Sequence, residues 1–151
     1  RDGTLIAYIH EQFARHGVQP DRLEILGIQP QLAYFASYND IDLGLDPFPF
    51  NGGTTGYDSI WMGVPYVTLP GDMLVSRMGK AILENVGLGQ LVASNKEDYV
   101  SRAVELSGDR ARLKMLRAGL RERMLASPLM DASRMARHLE QAFRAMWQRW
   151  C

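Results

Sequence analysis

One segment rich in glycine and threonine limits what this chain can fold into more than any other. Residues 51–58 (NGGTTGYD) follow an apolar strand pattern over residues 41–45 and precede a helix pattern at Ser59. Glycines let backbone N–H groups approach a ligand without interference from a Cβ atom. Thr54 and Thr55 add hydroxyl donors beside the unpaired N–H groups and the positive end of the helix dipole. The segment therefore predicts a strand, a loop and a helix N-terminus that binds a phosphate or a diphosphate.

Asp58 lies one turn inside the predicted helix. An acidic residue close to a phosphate loop often accepts hydrogen bonds from the ribose hydroxyls of a nucleotide, and we expect Asp58 to have this role. The same pattern also fits a glycine loop and a threonine N-cap that bind no ligand. The loop alone does not distinguish these two interpretations.

The residues that follow the loop carry a more specific pattern. They predict a helix that ends at Gly63, a buried strand over residues 66–69 and then a turn. The run NGGTTGYDSIWMGVPYVTLPGD, continued by SRMGKAILENVGL, closely resembles the C-terminal catalytic lobe of the O-linked N-acetylglucosaminyltransferase family. That family includes bacterial homologues with tetratricopeptide repeats and plant Spindly-type proteins. The resemblance extends from about Pro20 to the C-terminus and is most specific over residues 46–76.

The resemblance implies a fold and a reaction. Members of this family are two-lobed GT-B glycosyltransferases, in which the C-terminal Rossmann-like lobe holds the nucleotide sugar and the N-terminal lobe supplies much of the acceptor site. They transfer a sugar from a nucleotide diphosphate sugar to a protein hydroxyl, with inversion at the anomeric carbon. We therefore expect an α/β fold, namely a partial Rossmann-like lobe with a helical C-terminal tail. The expected donor is UDP-N-acetylglucosamine, and no cofactor or metal is expected.

The resemblance also implies which loop residues contact the donor. Thr54 and Thr55 match paired threonines that hold the diphosphate, and Asp58 matches the carboxylate that holds the ribose. Gly53 stands where animal members have a histidine near the phosphates. The donor-binding residues expected in the loop are Asn51, Gly52, Gly53, Thr54, Thr55 and Asp58.

The base of the nucleotide is expected to contact residues 30–37. There Gln31 and Tyr34 replace a lysine and a histidine of animal enzymes. Tyr34 can stack on a pyrimidine or pack under the sheet as an ordinary helix residue, so the choice between a uridine and a guanosine donor stays open. No catalytic base is assigned, because each candidate carboxylate has a structural or binding explanation at least as good; the candidates are Asp46, Asp58 and Asp72.

Strand and helix patterns alternate through the first 94 residues, which is typical of a parallel sheet of the Rossmann kind. The predicted strands are residues 23–28, 41–45, 66–69 and 90–93, and the predicted helices among them are residues 5–17, 30–38, 54–63 and 76–86. Helical periodicity continues over residues 95–106, 109–125 and 131–150. We therefore predict a partial nucleotide-sugar-binding lobe over residues 1–94 and a helical extension that packs on it over residues 95–151.

Composition narrows the class of protein. The 17 basic and 17 acidic residues give no net charge, which argues against a general nucleic-acid binder. The excess of basic residues in the segment 100–151 either lies on solvated helix faces or marks an acidic partner or an anionic substrate. No apolar run approaches membrane-spanning length, and no signal peptide is visible. Cys151 is the only cysteine, which favours a reducing, cytoplasmic location.

The chain is expected to be part of a longer protein, because it starts at Arg1 and lacks the family's N-terminal lobe. We expect it to be inactive alone and to have a gap in its sheet between the strands at residues 23–28 and 41–45. Exposed strand edges recruit other strands. Either these two strands pair directly, or two chains form a homodimer through their edges and an apolar stripe on the last helix. That stripe contains Met135, Leu139, Ala142, Phe143, Met146, Trp147 and Trp150.

Three other functions stay open on the sequence alone. The chain can be a non-catalytic protein-interaction module that retains the fold, or a Spindly-like O-fucosyltransferase that uses a GDP-sugar. It can also be an unrelated nucleotide-sugar enzyme, such as an epimerase or a cell-wall glycosyltransferase. In the favoured case the partners are UDP-N-acetylglucosamine and a protein acceptor bound through regions absent from this chain, with no nucleic acid and no membrane.

Overall fold

The computed structural model describes residues 3–151 and contains two compact units, Arg1–Tyr34 and Phe35–Cys151. The first unit contains helix α1 (Gly3–Ala14) and a 3-10 turn at Pro20–Arg22. The chain leaves α1 through Gly17, whose φ of 78° is a conformation that glycine adopts without steric cost. The helix predicted over residues 5–17 is therefore confirmed.

Residues 23–28 form no strand, so the prediction of a strand there was wrong. Their apolar side chains are not covered, since Leu26 is 50% and Ile28 fully exposed. A strand needs a neighbour that pairs its backbone N–H and C=O groups. The sheet found among the described residues contains two strands, both from the second unit, so this segment has no such neighbour. A gap between strands at residues 23–28 and 41–45 was expected. Because residues 23–28 form no strand, the sheet has an open edge there instead.

Helices dominate the second unit. Helix α2 (Gln31–Ser37) crosses the boundary between the units and continues as a 3-10 turn at Tyr38–Asp40. The elements that follow are β1 (Gly44–Leu45), α3 (Thr54–Trp61), β2 (Tyr66–Val67), α4 (Met78–Asn85), α5 (Lys96–Gly108), α6 (Arg110–Leu125) and α7 (Ala132–Trp150). Further 3-10 turns lie at Leu74–Arg77, Gly89–Leu91 and Pro128–Met130.

The two strands pair in parallel, with Gly44 of β1 opposite Tyr66 of β2. One further parallel bridge joins Thr68, just after β2, to Val92. The order of the described sheet places β1 at its edge. The carboxyl ends of β1 and β2 therefore lie side by side, which is where ligands bind in open α/β sheets.

The sheet is parallel as predicted, but it is smaller than the sequence indicates. The predicted strands 41–45 and 66–69 are reduced to two residues each, and the strand predicted over residues 90–93 is reduced to a single bridge. A strand at an edge has pairing partners on one side only, so its ladder is short. The fold within this chain is mostly helical with a small parallel sheet.

The core of the second unit lies between β2 and helices α3 to α6. Side chains that are almost fully buried include Ile60, Val67, Ile82, Leu83, Leu88, Leu106 and Leu120. Helices α5 and α6 pack on β2 and α3 within this one unit. The proposed division of the chain at residue 94 stays a prediction.

Three N-caps confirm the predicted starts of the C-terminal helices. The side chains of Asn95, Asp109 and Asp131 each accept a hydrogen bond from the backbone N–H three residues later, at 2.8, 2.9 and 2.8 Å. A side-chain acceptor at this position satisfies an N–H that has no partner inside the helix. These helix starts depend on local chemistry, and a sequence pattern therefore finds them well.

Two arginines of α6 hold carbonyl groups of other segments. Arg117 donates through its terminal nitrogens to the carbonyl oxygens of Tyr38 and Ile41, both at 2.8 Å, and so fixes the segment that leads into β1. Arg121 donates from Nε to the carbonyl of Trp61 at 2.9 Å and lies over that indole ring. Some of the basic residues in the segment 100–151 therefore have a structural role. The sequence had suggested only solvated helix faces, or an acidic partner or anionic substrate.

Helix α7 contributes no buried residue, although its apolar stripe has the periodicity of a core-facing helix. Phe143, Trp147 and Trp150 are 58%, 67% and 86% exposed. The stripe is therefore not covered by any of the residues that the structure describes. None of the described helices combines the length and the apolar character needed to cross a membrane.

Candidate functional site

The glycine-threonine loop lies at the carboxyl end of β1 and leads directly into α3. Asn51 anchors its centre and is only 2% exposed. Its Nδ2 donates to the carbonyl of Pro47 at 2.9 Å, and its backbone N–H donates to the carbonyl of Val75 at 3.3 Å. Its Oδ1 is buried without a hydrogen-bond partner among the described residues. A buried acceptor of this kind calls for a partner beyond the described residues, such as an ordered water or a ligand.

Gly52 is held by a buried carboxylate. Its N–H donates to Oδ1 of Asp46 at 2.7 Å. A Cβ added at Gly52 would lie 2.5 Å from Oγ1 of Thr55. A side chain at position 52 would therefore require the hydroxyl of Thr55 to move.

The N-terminus of α3 has no side-chain cap. Gly53 occupies the N-cap position and has no side chain that could accept from the first turn. Thr54 and Thr55, the first two residues of the helix, are exposed. A helix end with open N–H groups and adjacent hydroxyls is suited to an anion. The structure therefore places Gly53, Thr54 and Thr55 together at the start of α3, and contact of these residues with a diphosphate stays a prediction.

Asp58 is half-buried in α3, one turn after Thr54. It lies on the same helix as the threonine pair, as the sequence predicted. Its role toward a ribose stays a prediction.

Gln31 and Tyr34 belong to the first unit, where they lie in α2. Gln31 is exposed and Tyr34 half-buried, and the backbone N–H of Tyr34 donates to the carbonyl of Pro30 at 2.9 Å. The loop residues 51–58 belong to the second unit. Contact of Gln31 and Tyr34 with a base stays a prediction.

A buried polar pair beneath the loop was not identified from the sequence. Asp46 follows β1, Thr68 follows β2, and Oγ1 of Thr68 donates to Oδ2 of Asp46 at 2.6 Å. Asp46 is 7% and Thr68 0% exposed. The sequence signal that could have identified Thr68 is that it is a polar residue within an otherwise apolar strand, residues 66–69 (YVTL). Asp46 was considered as a base, and the structure gives it a supporting position instead.

Burial raises the pKa of the Asp46 carboxyl above its ordinary value, while the hydrogen bonds from Thr68 and Gly52 act in the opposite direction. Burial also raises the pKa of the neighbouring Tyr66, and the charge of Asp46 adds to that effect. The hydroxyl of Tyr66 therefore stays protonated, and it donates to the carbonyl of Gly79 at 3.3 Å. Asp46, Thr68 and Tyr66 therefore form a buried polar cluster beneath the loop.

A small cavity opens beside the loop, with a volume of about 200 Å³. Its polar lining comes from Asp46, Thr55 and Ser59, and its apolar lining includes Leu45 and Val64. Pockets that enclose a drug-sized ligand usually measure roughly 300–1,000 Å³. The cavity within this chain is therefore too small to enclose a whole nucleotide sugar.

Comparisons with known proteins agree on one family. The sequence profile of Glycosyl transferase family 41 matches residues 6–139. A protein of Solanum lycopersicum named "Probable UDP-N-acetylglucosamine--peptide N-acetylglucosaminyltransferase SPINDLY" is 40% identical over 136 residues, which cover 89% of this chain and 15% of that protein. An Arabidopsis thaliana protein named "Probable UDP-N-acetylglucosamine--peptide N-acetylglucosaminyltransferase SEC" is 32% identical over 139 residues, which cover 91% of this chain and 14% of that protein.

A solved structure agrees as well. A mutant of Thermobaculum terrenum O-GlcNAc transferase superposes with a TM-score of 0.89 at 36% sequence identity, over 97% of this chain and 28% of that one. The chain therefore spans about 15% of the length of the curated relatives and less than a third of the solved structure.

Proposed function

This chain belongs to glycosyl transferase family 41, and from that premise we propose that it forms the donor-binding part of an inverting protein O-glycosyltransferase that uses UDP-N-acetylglucosamine. In this proposal the small parallel sheet and its helices are a partial Rossmann-like C-terminal lobe of a GT-B enzyme. Relatives named as N-acetylglucosaminyltransferases support the donor and the peptide acceptor. The parallel pairing of β1 and β2 supports the Rossmann-like lobe.

The observation that carries the proposal is the uncapped N-terminus of α3. Glycine at its N-cap leaves the N–H groups of the first turn without a side-chain acceptor, and Thr54 and Thr55 expose two hydroxyls beside them. A cap formed by a side chain would place serine, threonine, aspartate or asparagine at the cap itself. Here the threonines follow the cap, where their hydroxyls are available to a ligand.

This arrangement suits the chemistry of the leaving group. Negative charge grows on the diphosphate as the bond to the sugar breaks, and donors already in place stabilise that charge more in the transition state than in the ground state. The helix dipole adds positive potential at the same point. Thr54 and Thr55 would hold the diphosphate, and Asp58 the ribose.

Donor identity is tested by titrating UDP, UDP-N-acetylglucosamine and GDP separately into the full-length gene product in a calorimeter. The proposal expects both uridine ligands to bind more tightly than GDP. Tighter binding of GDP would favour a Spindly-like O-fucosyltransferase that uses a GDP-sugar. Binding of none of the three would favour a non-catalytic interaction module.

The isolated 151-residue chain is expected to transfer no sugar. Its cavity beside the loop does not enclose a nucleotide sugar, and the chain covers only 28% of the related O-GlcNAc transferase structure. Acceptor positioning, a large part of the rate enhancement in such reactions, would then be missing. The measurement is transfer of labelled N-acetylglucosamine from UDP-N-acetylglucosamine to a serine-containing peptide. Transfer above the rate of a protein-free blank would contradict this expectation.

The isolated chain is also expected to self-associate, because α7 exposes its apolar stripe and β1 lies at a sheet edge. We expect sedimentation equilibrium at micromolar concentration to show a homodimer. The matched variant replaces Trp147 and Trp150 with glutamine and is expected to be a monomer. A wild-type chain that sediments as a folded monomer would show that these surfaces do not recruit a second copy.

A further inference from the structure

Asp46 connects three segments that are distant in sequence. Its Oδ1 accepts from the N–H of Gly52 at 2.7 Å, and its Oδ2 accepts from the hydroxyl of Thr68 at 2.6 Å. Its backbone carbonyl accepts from the hydroxyl of Tyr99 at 3.0 Å. The loop, the end of β2 and helix α5 are thus each hydrogen-bonded to one residue at the end of β1.

The backbone of two glycines packs closely around the carboxylate. Gly79, in the first turn of α4, packs against it, and a Cβ added there would lie 2.2 Å from Oδ2 of Asp46. A Cβ added at Gly52 would lie 3.3 Å from Oδ1. Glycines on both sides let the backbone close around a carboxylate that is only 7% exposed. Buried polar groups enclosed and bonded in this way have one orientation.

The bond to Gly52 determines where the rest of the loop points. Once the N–H of Gly52 is turned toward Asp46, the next residues, Gly53 and Thr54, begin the helix in a fixed direction. Oγ1 of Thr55 lies beside Gly52, since a Cβ added at Gly52 would lie 2.5 Å from it. The carboxylate therefore sets the direction of the donors at the start of α3, without being one of them.

We propose that Asp46 is a positioning residue for donor binding, which acts through the Gly52 N–H to aim the N-terminus of α3 at the diphosphate. The inference rests on the proposed function, because it takes the ligand of that helix end to be a diphosphate. A negative charge this close to a diphosphate weakens binding electrostatically. The contribution of Asp46 to donor binding is therefore geometric, and a neutral side chain with the same shape retains it.

The test measures UDP affinity by calorimetry in the full-length gene product, at a temperature where circular dichroism shows each variant to be folded. Asp46→Ala is expected to weaken UDP binding by roughly tenfold or more, because the loop loses its fixed direction. Asp46→Asn is expected to bind UDP as tightly as the wild type or more tightly, because its amide oxygen still accepts from Gly52 and the charge is gone. Ser127→Ala is the matched control, since Ser127 is buried and polar but bonds only within its own turn after α6.

A double-mutant cycle with Thr55 separates positioning from general stability. If Asp46 acts by aiming the loop, Thr55→Ala weakens UDP binding in the wild-type background and has little further effect in the Asp46→Ala background. Independent effects that multiply would mean that Asp46 supports the fold only, and would overturn the inference.

If Asp46→Ala does not fold, Thr68 supplies the test. Thr68→Val removes the second bond of the carboxylate with almost no change in shape and is expected to weaken UDP binding, whereas Thr68→Ser retains it. Equal affinity of the valine and serine variants would overturn the inference. Loss of UDP binding in Thr55→Ala together with normal binding in Asp46→Ala would overturn it and leave the proposed function intact. Normal UDP binding in Thr54→Ala, Thr55→Ala and Asp58→Ala alike would instead remove the proposed donor-binding function of the loop.

Discussion

Thr54→Ala and Thr55→Ala, made separately in the full-length gene product, should each lower kcat by about a hundredfold. In comparable sites the loss of one hydrogen-bond donor to a developing oxyanion costs on the order of 3 kcal/mol of transition-state stabilisation. Both threonines are exposed at an uncapped helix N-terminus, so their hydroxyls have no evident structural task that the substitution would disturb. The measurement is sugar transfer from UDP-N-acetylglucosamine to a peptide at saturating donor.

Serine variants are the matched controls, because Thr54→Ser and Thr55→Ser keep the hydroxyl and should keep most of the activity. Asp58→Ala should weaken nucleotide binding by about tenfold through loss of an acceptor for the ribose, with a smaller effect on kcat. If the three alanine variants all bind and turn over donor like the wild type, the loop is a structural helix start and no more.

Gly79→Ala should lower the free energy of unfolding by about 3 kcal/mol, since side chains forced into a packed site shift backbone and neighbours. The added Cβ would lie 2.2 Å from Oδ2 of Asp46 and 2.4 Å from Oγ1 of Thr68. Both neighbours are buried and bonded to each other, so neither has space to retreat. Chemical denaturation followed by circular dichroism measures the change.

Gly119→Ala is the control for this prediction. Gly119 also lies in a helix, α6, but a Cβ there would meet nothing within 4 Å. Alanine should therefore stabilise the protein by about 0.5–1 kcal/mol through its better helix propensity. Similar unfolding free energies for the two variants would show that the space around Gly79 is not tight.

The sequence was sufficient to predict the helices of the second unit and the position of the glycine-threonine loop before α3. Helix starts at Asn95 and Asp109 and the helix end near Gly63 depend on residues within one turn of each other, and the structure confirms them. The loop could be found for the same reason, because its glycines and threonines are consecutive. Local chemistry of this kind is visible in a single sequence.

Features that join distant segments could not be predicted in the same way. The strand predicted over residues 23–28 was wrong because a short apolar pattern does not reveal whether a pairing partner exists. The bond between Asp46 and Thr68 spans 22 positions and arises only when β1 and β2 pair in register. The stripe on α7 has core periodicity but no cover among the described residues, which periodicity alone does not report.

The buried pair of Asp46 and Thr68, enclosed by Gly79, has a consequence for how related proteins can diverge in sequence. The residues that would hold the donor, Thr54 and Thr55, are exposed, while the residues that shape the loop are enclosed. A descendant can therefore lose the threonines and its activity while the domain still folds, and survive as an inactive paralogue. It cannot replace Gly79 without also changing Asp46 or Thr68. Across relatives, we therefore expect the enclosed residues to change together or not at all, and to be kept even where Thr54 and Thr55 have been replaced.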